Sequence, residues 1–363
     1  MPIRQRFDRH LLGATLLLTA IGLAILASAS WLMATERYGR PGSYFFTWQA
    51  ATAMVGLGVL VVCMHLRTSL LTERRFVVGA LIAGWALLLA AFAQAPVANT
   101  HRWISIGGLS LQPSVLVRLA LILFVAILLD EARREGWPWR RLGVLAGVTV
   151  ATTAVIVAEP DLGSAALILV VLGAMAFVAG TPFRILAAPA VFGVVALAAA
   201  IIASPYRMAR VRAFLDPQAG AAASWQSTQS LIAIGSGGIF GRGYGSGLQK
   251  LFFLPEPHTD FIFAITGEEL GLVGLVTLLA LAGVIAWRGF VIAGRLEDPR
   301  RALIAFGITI AFAVQSLVHM FVSLGLLPPK GIPLPLVSYG KTEMLVTMIS
   351  MGILLNLSRE ARA

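Results

Sequence analysis

Long apolar runs follow one another from one end of the chain to the other. They fall roughly at residues 11–33, 46–65, 76–94, 115–129, 142–158, 164–180, 185–203, 261–287, 302–326 and 342–356. A bilayer core needs about twenty apolar residues of helix, so the pattern predicts about ten membrane-spanning helices, the fifth and sixth short and joined by a tight polar turn. The first run is too long for a signal peptide and lacks a cleavage pattern, so we expect it to stay as an anchor.

Composition supports the same class of protein. Hydrophobic residues make up 58% of the chain and charged residues 12%, too few charges to cover the surface of a soluble domain of this size. The sequence therefore predicts an all-α, polytopic integral membrane protein, a single transmembrane domain over residues 1–363 with a large extracytoplasmic loop at about 204–259. Cys63 is the only cysteine, which excludes an internal disulfide.

Arginines in the short loops predict the orientation of the chain. If ten spans alternate, one side carries Arg4, Arg6, Arg9, Arg67, Arg74, Arg75, Arg133, Arg134, Arg140, Arg141, Arg184, Arg288, Arg295, Arg300, Arg301, Arg359 and Arg362. Because cytoplasmic loops hold the excess of positive charge, both termini are expected in the cytoplasm. The net charge of +11 is then largely a signal of topology, with no need to invoke nucleic acid.

The same topology places the remaining polar motifs on the extracytoplasmic face. They are HRWISIGGLSLQPS (residues 101–114), EPDLGS (159–164), the loop at about 204–259 and LPPKGIPLPLVSYG (327–340). Their convergence predicts a polar site at the outer surface of the membrane, where a substrate carried by a lipid could be reached.

The stretch LPEPHTDFIFAITGEEL (residues 254–270) sets the acid Asp260 at the start of a membrane-spanning segment. Glu268 and Glu269 follow one to two helical turns deeper, and carboxylates in or near hydrocarbon are costly, so these groups are functional candidates. Other interpretations stay open. Asp260 could cap the N-terminus of the helix, and the two glutamates could pair with Arg118 or bind backbone within the bundle.

The 204–259 loop carries more cations than its face should have. Arg207, Arg210, Arg212, Arg242 and Lys250 stand against only two acids, Asp216 and Glu256. Within it, IGSGGIFGRGYGSG (residues 234–247) would let backbone N–H groups approach phosphate oxygens, so the loop is typical of a surface for an anionic headgroup. The first three arginines could instead extend their side chains to lipid phosphates.

The longest motifs identify a family. Besides the segments above, they include FLDP (residues 214–217) and the run QSLIAIGSGGIFGRGYGSGLQKLFFLPEPHTDFIFAITGEELGLVG (229–274). Along nearly its whole length the chain resembles the SEDS proteins, the shape, elongation, division and sporulation group of bacterial peptidoglycan polymerases. QKLFFLPEPHTDF and Lys330 are closer to the division members of the group than to the elongation members.

This resemblance implies a peptidoglycan glycosyltransferase in the bacterial inner membrane that polymerises lipid II, an undecaprenyl-pyrophosphate disaccharide-pentapeptide, during cell division. It implies that Asp260 is the essential acid and that Lys330 contributes to activity. The implied partners are lipid II, the nascent glycan, a class B penicillin-binding protein transpeptidase of the FtsI type and other membrane proteins of the division machinery.

The chemistry of that reaction needs few groups. A β-1,4 bond made from an α-linked donor inverts the sugar carbon, which requires a base for the acceptor C4 hydroxyl group and cations for the departing pyrophosphate. Asp260 is the candidate base. A divalent cation could also help to neutralise pyrophosphate, but no cluster of ligands in the sequence requires it.

The remaining candidates fall into two sets. The candidate substrate-binding residues are Arg207, Arg210, Arg242, Lys250, Lys330, Glu256, His258 and Ser338. The candidate cavity-lining residues are Arg102, Gln112, Arg118, Asp161, Gln229, Glu268 and Glu269. For His258, beside a proline, a purely hydrogen-bonding role in the loop stays open.

The chain departs from the family pattern inside the bundle. The usual QPSE with Lys three positions later reads QPSV with Arg118, SYG is followed by Lys341, Thr342 and Glu343 instead of small residues, and His319 and Glu159 replace the usual Asn and Gln. We expect compensation: Glu343 could pair with Lys341, and Arg118 with an acid of the eighth span.

Two other functions stay open. A lipid II flippase would use intramembrane Glu268 and Glu269 and a discontinuous fifth and sixth span, and a noncatalytic scaffold would only activate a transpeptidase. A flippase needs polar residues along both halves of the bundle. Since the polar motifs crowd one face, the sequence favours the enzyme.

Overall fold

The structure, a computed structural model, describes residues 7–94, 100–106, 109–216 and 222–361. Arg4, Arg6 and Arg362 lie outside these residues. In the described part of the chain the α-helices are α1 (Arg9–Leu32), α2 (Tyr44–His65), α3 (Thr68–Thr72), α4 (Arg74–Ala91), α5 (Pro113–Arg134), α6 (Trp139–Ala158), α7 (Leu162–Val178), α8 (Phe183–Ile202), α9 (Pro205–Leu215), α10 (Ala222–Gly237), α11 (Ile262–Arg295), α12 (Pro299–Ser323) and α13 (Lys341–Ser358). A π-helical turn, Met33–Arg37, continues α1. The ten predicted runs coincide with α1, α2, α4 to α8 and α11 to α13.

Among the residues that the structure describes, seven helices are long and apolar enough to cross a membrane, namely α1, α2, α4, α6, α8, α11 and α12, and α7 is a shorter apolar helix. The other two of the ten, α5 and α13, carry charged side chains. Sixteen of the 22 residues of α5 are buried by neighbouring helices, so its charges need not face lipid. The fold is therefore that of an all-α polytopic membrane protein, whereas its orientation stays a prediction.

The helices pack as a bundle around α5 and α12. α13 lies along α2, α11 lies between α1 and α12, and α4 packs on α5. At the edge, α8 has no buried residue and contacts α7 and α9. The 204–259 loop is partly helical, since it holds α9 and α10, and two short antiparallel strands, β1 (Ile104–Ile106) and β2 (Leu109–Leu111), precede α5.

A break in α11 shapes the half of the bundle that contains the Asp260 turn. Gly271 has φ 67° and ψ −160°, so the helix is interrupted there. The chain after α10 supplies partners for the backbone groups that the break leaves open: the N–H of Leu272 donates to Gly238 O at 2.9 Å, and the N–H of Arg242 donates to Glu268 O at 2.9 Å. A broken helix is tolerated at membrane depth when protein satisfies its backbone in this way.

Candidate functional site

Asp260 lies in the turn that precedes α11, where its backbone N–H donates to Glu256 O at 3.1 Å. Its side chain faces the 327–340 segment: a Cβ placed on Gly331 would lie 3.1 Å from one carboxylate oxygen. The residue is partly accessible. The N-cap of α11 is Phe261, and no side chain caps it, so the interpretation of Asp260 as a helix cap is wrong.

The surroundings of Asp260 suit a base. Burial raises the pKa of its carboxyl group to about 6; a hydrogen bond with Thr259 and the positive charges of Arg210 and Arg102 oppose this rise, while Glu256 adds to it. A carboxyl group with such a pKa is ionised at neutral pH, yet it is a stronger base than an ordinary aspartate.

Two of the predicted cationic side chains, Arg210 and Arg102, act on this carboxyl group, and two more, Lys330 and Arg207, lie next to Arg210. The guanidinium of Arg210 donates to Pro329 O at 3.1 Å, next to Lys330, and the charges of Arg207, Arg210 and Asp161 all act on Lys330. Burial lowers the pKa of Lys330, and Asp161 opposes that shift. The positive charge of Arg102 also acts on Asp260. We call Asp260, Arg102, Arg207, Arg210 and Lys330 the Asp260 site.

The EPDLGS turn forms one wall of the Asp260 site. Asp161 caps α7 through Ser164, whose hydroxyl donates to it at 2.7 Å. Arg102 donates to Pro160 O at 2.8 Å and lies 3.9 Å from the Asp161 carboxylate. The turn also packs on the 327–340 segment, since a Cβ on Gly163 would lie 3.2 Å from Ile332.

Glu159, in the same turn, is fully buried, and neither of its carboxyl oxygens has a hydrogen-bond partner. Burial and the negative charge of Asp161 raise the pKa of Glu159 to about 8, against the positive charge of Arg102. At neutral pH this carboxyl group is therefore largely protonated, which makes it comparable to the Gln that is common at this position.

Ser338 links the 327–340 segment to the turn at residues 258–261, and Gln49 links the same segment to α2. The hydroxyl of Ser338 donates to Thr259 O at 2.7 Å and accepts from the N–H of Leu334 at 2.9 Å. Gln49, fully buried on α2, donates to Ser338 O at 3.1 Å and accepts from the N–H of Gly340 at 3.2 Å. Ser338 therefore stabilises the backbone beside Asp260, whereas the sequence predicted that Ser338 contacts the substrate.

His258 and Glu256 belong to the framework of the turn. The ring of His258 is buried against Phe45 and Tyr339, with ring centroids 4.6 and 5.8 Å apart. Burial lowers the pKa of His258 to about 4, so it is neutral at pH 7 and offers no charge to pyrophosphate. Glu256 forms an ion pair with Arg37 at 3.1 Å.

The structure corrects the expected role of Lys250. Its ammonium group is buried and donates to Glu269 at 2.6 Å, Ser28 at 2.7 Å and Gly245 O at 2.8 Å. Glu269 lies nine residues beyond Asp260, roughly 13 Å along a helix at 1.5 Å per residue. Lys250 therefore belongs to a buried network inside the bundle, apart from the Asp260 site.

The glycine-rich loop, residues 234–247, also has a different role from the expected one. Gly241 has φ +79°, and a Cβ there would lie 2.1 Å from Glu269 O, so glycine allows this backbone to touch α11. The N–H groups meet glutamate oxygens instead of phosphate: that of Gly243 donates to Glu269 O at 3.0 Å, and that of Gly245 donates to the Glu269 carboxylate at 3.1 Å.

Glu268 completes this arrangement. Its carboxylate accepts from the N–H groups of Leu248 at 2.7 Å and Gln249 at 3.1 Å, and it lies 3.6 Å from Arg242. Both intramembrane glutamates accept hydrogen bonds from backbone N–H groups of residues 245–249. Their structural interpretation is therefore confirmed, although with partners other than Arg118, and Arg242 is tied to the same network.

The remaining cavity candidates lie elsewhere. Arg118 pairs with Glu343 of α13 at 2.9 Å, whereas we expected an acid of the eighth span, and Lys341 lies over the Trp48 ring at 4.0 Å. The Gln112 backbone N–H donates to Thr342 at 3.0 Å before α5. Gln229 is buried on α10.

Sequence reasoning missed three contributors to the site: Gly331, Gln49 and Gln315, whose amide nitrogen donates to Pro333 O of the 327–340 segment at 2.9 Å. Gly331 stands within the quoted PPKG motif, and the two glutamines are isolated polar residues within apolar runs, which was a usable signal. In the described part of the chain, no group of three or more His, Cys, Asp or Glu side chains is placed to hold a metal ion.

The sequence and the fold of this chain are similar to those of known proteins. The family model for cell cycle proteins of the FtsW, RodA and SpoVE group matches residues 9–363. A Geobacter sulfurreducens protein named probable peptidoglycan glycosyltransferase FtsW is 36% identical over 98% of this chain and 95% of its own length. The crystal structure of the Thermus thermophilus Rod shape determining protein RodA is similar, with a TM-score of 0.70 and 26% identity over 98% of both chains.

A second solved structure extends the comparison to a complex. It concerns the coordination of polymerization and crosslinking by a peptidoglycan synthase complex, and one of its chains matches with a TM-score of 0.79 and 25% identity. The match covers 97% of this chain and 98% of the other.

Proposed function

The chain belongs to the FtsW, RodA and SpoVE family of cell cycle proteins, and we propose that it is a peptidoglycan glycosyltransferase that polymerises lipid II with Asp260 as its general base. The activity is the one named for its FtsW relatives. The observation that carries the role of Asp260 is a partly accessible carboxyl group with a pKa raised to about 6, which faces Gly331 and feels the positive charges of Arg210 and Arg102.

In the proposed reaction Asp260 accepts the proton of the acceptor C4 hydroxyl group as that oxygen attacks the anomeric carbon of the donor sugar. The bond from that carbon to the pyrophosphate oxygen breaks, so one glycosidic bond forms and undecaprenyl pyrophosphate leaves with the bonding electrons. General-base catalysis of this kind typically contributes about a hundredfold to ten-thousandfold in rate.

The departing pyrophosphate needs positive charge where its own charge develops. Lys330, Arg210 and Arg102 are the proposed partners, with Arg207 behind them. Two arginines are oriented by carbonyl groups: Arg210 by Pro329 and Arg102 by Pro160. Bonds from such fixed guanidinium groups to phosphate are charge-assisted and specific in direction. The proposed steps use these side chains, and a divalent cation as a further neutraliser of charge stays a proposal.

We also propose a transpeptidase partner, specifically a class B penicillin-binding protein of the FtsI type. The support is the similarity to a chain of a synthase complex whose description joins polymerization to crosslinking, since crosslinking of strands is transpeptidase chemistry. A role in cell division, with other membrane proteins of that machinery, is supported by the FtsW names of the relatives.

The flippase alternative loses its main argument. Glu268 and Glu269, the intramembrane acids that would suit transport, are occupied by donors from the glycine-rich loop and Lys250. A transport role would require these bonds to break in each cycle.

One experiment separates the candidates. Purified protein in liposomes receives lipid II with and without the transpeptidase, and strands are resolved on a gel while a fluorescent lipid II reports transfer between leaflets. We expect strand formation with the partner, and none by the Asp260→Asn variant. Transfer between leaflets without strands would favour the flippase, and strands only from a polymerising partner would favour the scaffold.

A further inference from the structure

A charged pair in the middle of the bundle is not explained by the chemistry at Asp260. Arg118 of α5 lies 2.9 Å from Glu343 in the first turn of α13, and both side chains are largely buried, with exposed fractions of 13% and 8%. Two charges moved out of water are costly unless each is well bonded. The residue three positions before Arg118 on α5 is Val115, so this arginine has no acidic partner at that position of its own helix.

Arg118 makes a second bond that leads towards the outer surface. Its guanidinium donates to Gln315 Oε1 at 2.6 Å, which fixes the orientation of that amide. The Gln315 amide nitrogen then donates to Pro333 O at 2.9 Å. The hydrogen bonds therefore run from α13 through α5 and α12 into the 327–340 segment.

A neighbouring side chain of α12 holds the next carbonyl group of the same segment. His319, one turn beyond Gln315, is fully buried and its Nδ1 lies 2.8 Å from Ile332 O. Because that carbonyl group can only accept, Nδ1 is the donor. Two successive carbonyl groups are thus bound by side chains at i and i+4 on one face of α12.

The residue before Ile332 is Gly331, which contacts Asp260. A Cβ on Gly331 would lie only 3.1 Å and 3.4 Å from the two carboxylate oxygens. A movement of this backbone would change both the space beside the carboxylate and the position of Lys330, the preceding residue. Displacements of about 1 Å in a reacting group can cost roughly a hundredfold in rate.

We propose that Arg118 and Glu343 are positioning residues for the polymerisation reaction. They orient Gln315. Gln315 and His319 together hold the backbone of residues 331–333 in the position that places Gly331 and Lys330 beside Asp260. This inference rests on the proposed function and deepens it. It also explains the departures at Val115, Arg118 and Glu343, because the acid that pairs with the α5 cation comes from α13 in this chain.

The test compares two buried acids that pair with arginines. Glu343→Gln breaks the pair with Arg118. The matched control is Asp130→Asn, because Asp130 sits at the other end of α5, is buried and pairs with Arg300 of α12 at 2.7 Å. Each variant is assayed with lipid II and the transpeptidase for kcat, KM and thermal stability.

We expect Glu343→Gln to lower kcat by about tenfold to a hundredfold, with KM for lipid II within about threefold, and to shift the acidic limb of its pH profile. Asp130→Asn should lose thermal stability while its folded fraction keeps the kcat and pH profile of the wild type. Arg118→Lys keeps the charge but lacks the forked guanidinium group that bonds Glu343 and Gln315 at the same time. This variant should therefore remain folded but have a lower kcat.

Rescue makes the test specific. Val115→Glu in the Glu343→Gln background returns an acid at the i, i+3 position to Arg118 and should recover part of kcat. The proposal is overturned if Glu343→Gln and Arg118→Lys only lose stability while their folded fractions keep wild-type kcat, or if the rescue restores stability but not kcat. Absence of strands from the wild-type protein would instead overturn the proposed function, and this inference with it.

Discussion

Lys250 and Lys330, which the sequence predicts to bind substrate, should respond to substitution in different ways. Lys250→Met removes the ammonium group that donates to Glu269, Ser28 and Gly245 O. Breaking a buried ion pair by removing one partner typically costs about 3 to 5 kcal/mol. Glu269 keeps its bonds from Ser28 and the Gly245 N–H, so we expect about 2 to 4 kcal/mol and a fall in Tm of roughly 5 °C or more.

Lys330→Met is the matched control, because it removes the same group from the Asp260 site. Its Tm should stay within a few degrees of the wild type, whereas the loss of a bond to a charged group, worth about 1.5 to 3 kcal/mol, should weaken lipid II binding about tenfold to a hundredfold. Both variants are measured in nanodiscs by thermal unfolding and by titration with labelled lipid II. An unchanged Tm with weakened lipid II binding for Lys250→Met would refute the structural role that we assign to it.

Three further predictions follow from individual residues. Gly241→Ala, at φ +79° and with its Cβ 2.1 Å from Glu269 O, should prevent recovery of folded protein, whereas Gly235→Ala, with open space around its Cβ, should be tolerated. Burial raises the pKa of Glu159 to about 8 from 4.5, so stability from its neutral form is complete below about pH 4.5 and is lost as the pH rises from there through about 8; Glu159→Gln should therefore have the higher Tm at pH 9 and nearly the same Tm at pH 4. In a Cys63→Ala background, Leu215→Cys should react with an impermeant maleimide on spheroplasts and Arg75→Cys should not; the reverse result would contradict the orientation.

Hydrophobicity alone predicted where the ten long helices lie, because the bilayer fixes both the length and the character of a span. It could not predict α9 and α10, which lie in a segment of mixed polarity. The charged helices α5 and α13 show the converse limit: most of their residues are buried by neighbouring helices, so their charged side chains need not face lipid.

The site was predictable in part. Asp260, Lys330, Arg210 and Arg102 do come together, because the motifs that carry them all emerge on one face. The role of Lys250 was not predictable from a count of charges, since its partner Glu269 lies on another element and only the fold brings the two within 2.6 Å.

The break at Gly271 explains why the sequence predicted phosphate contact for the glycine-rich motif, whereas the structure shows it against α11. Glycines that let a backbone approach closely serve a phosphate or another backbone equally well. Here they serve the open carbonyl groups of α11, and the motif contains no signal that separates the two uses.

The central claim is that Asp260 removes a proton during bond formation, and a single-turnover measurement on Asp260→Asn tests it most directly. Labelled lipid II is bound to the variant with its transpeptidase, and bound substrate and released undecaprenyl pyrophosphate are measured in the same sample. We predict that lipid II stays bound, that release slows by at least about a hundredfold, and that the wild-type rate falls as the pH drops through about 6, where Asp260 protonates. Release by the Asn variant at the wild-type rate would contradict the account.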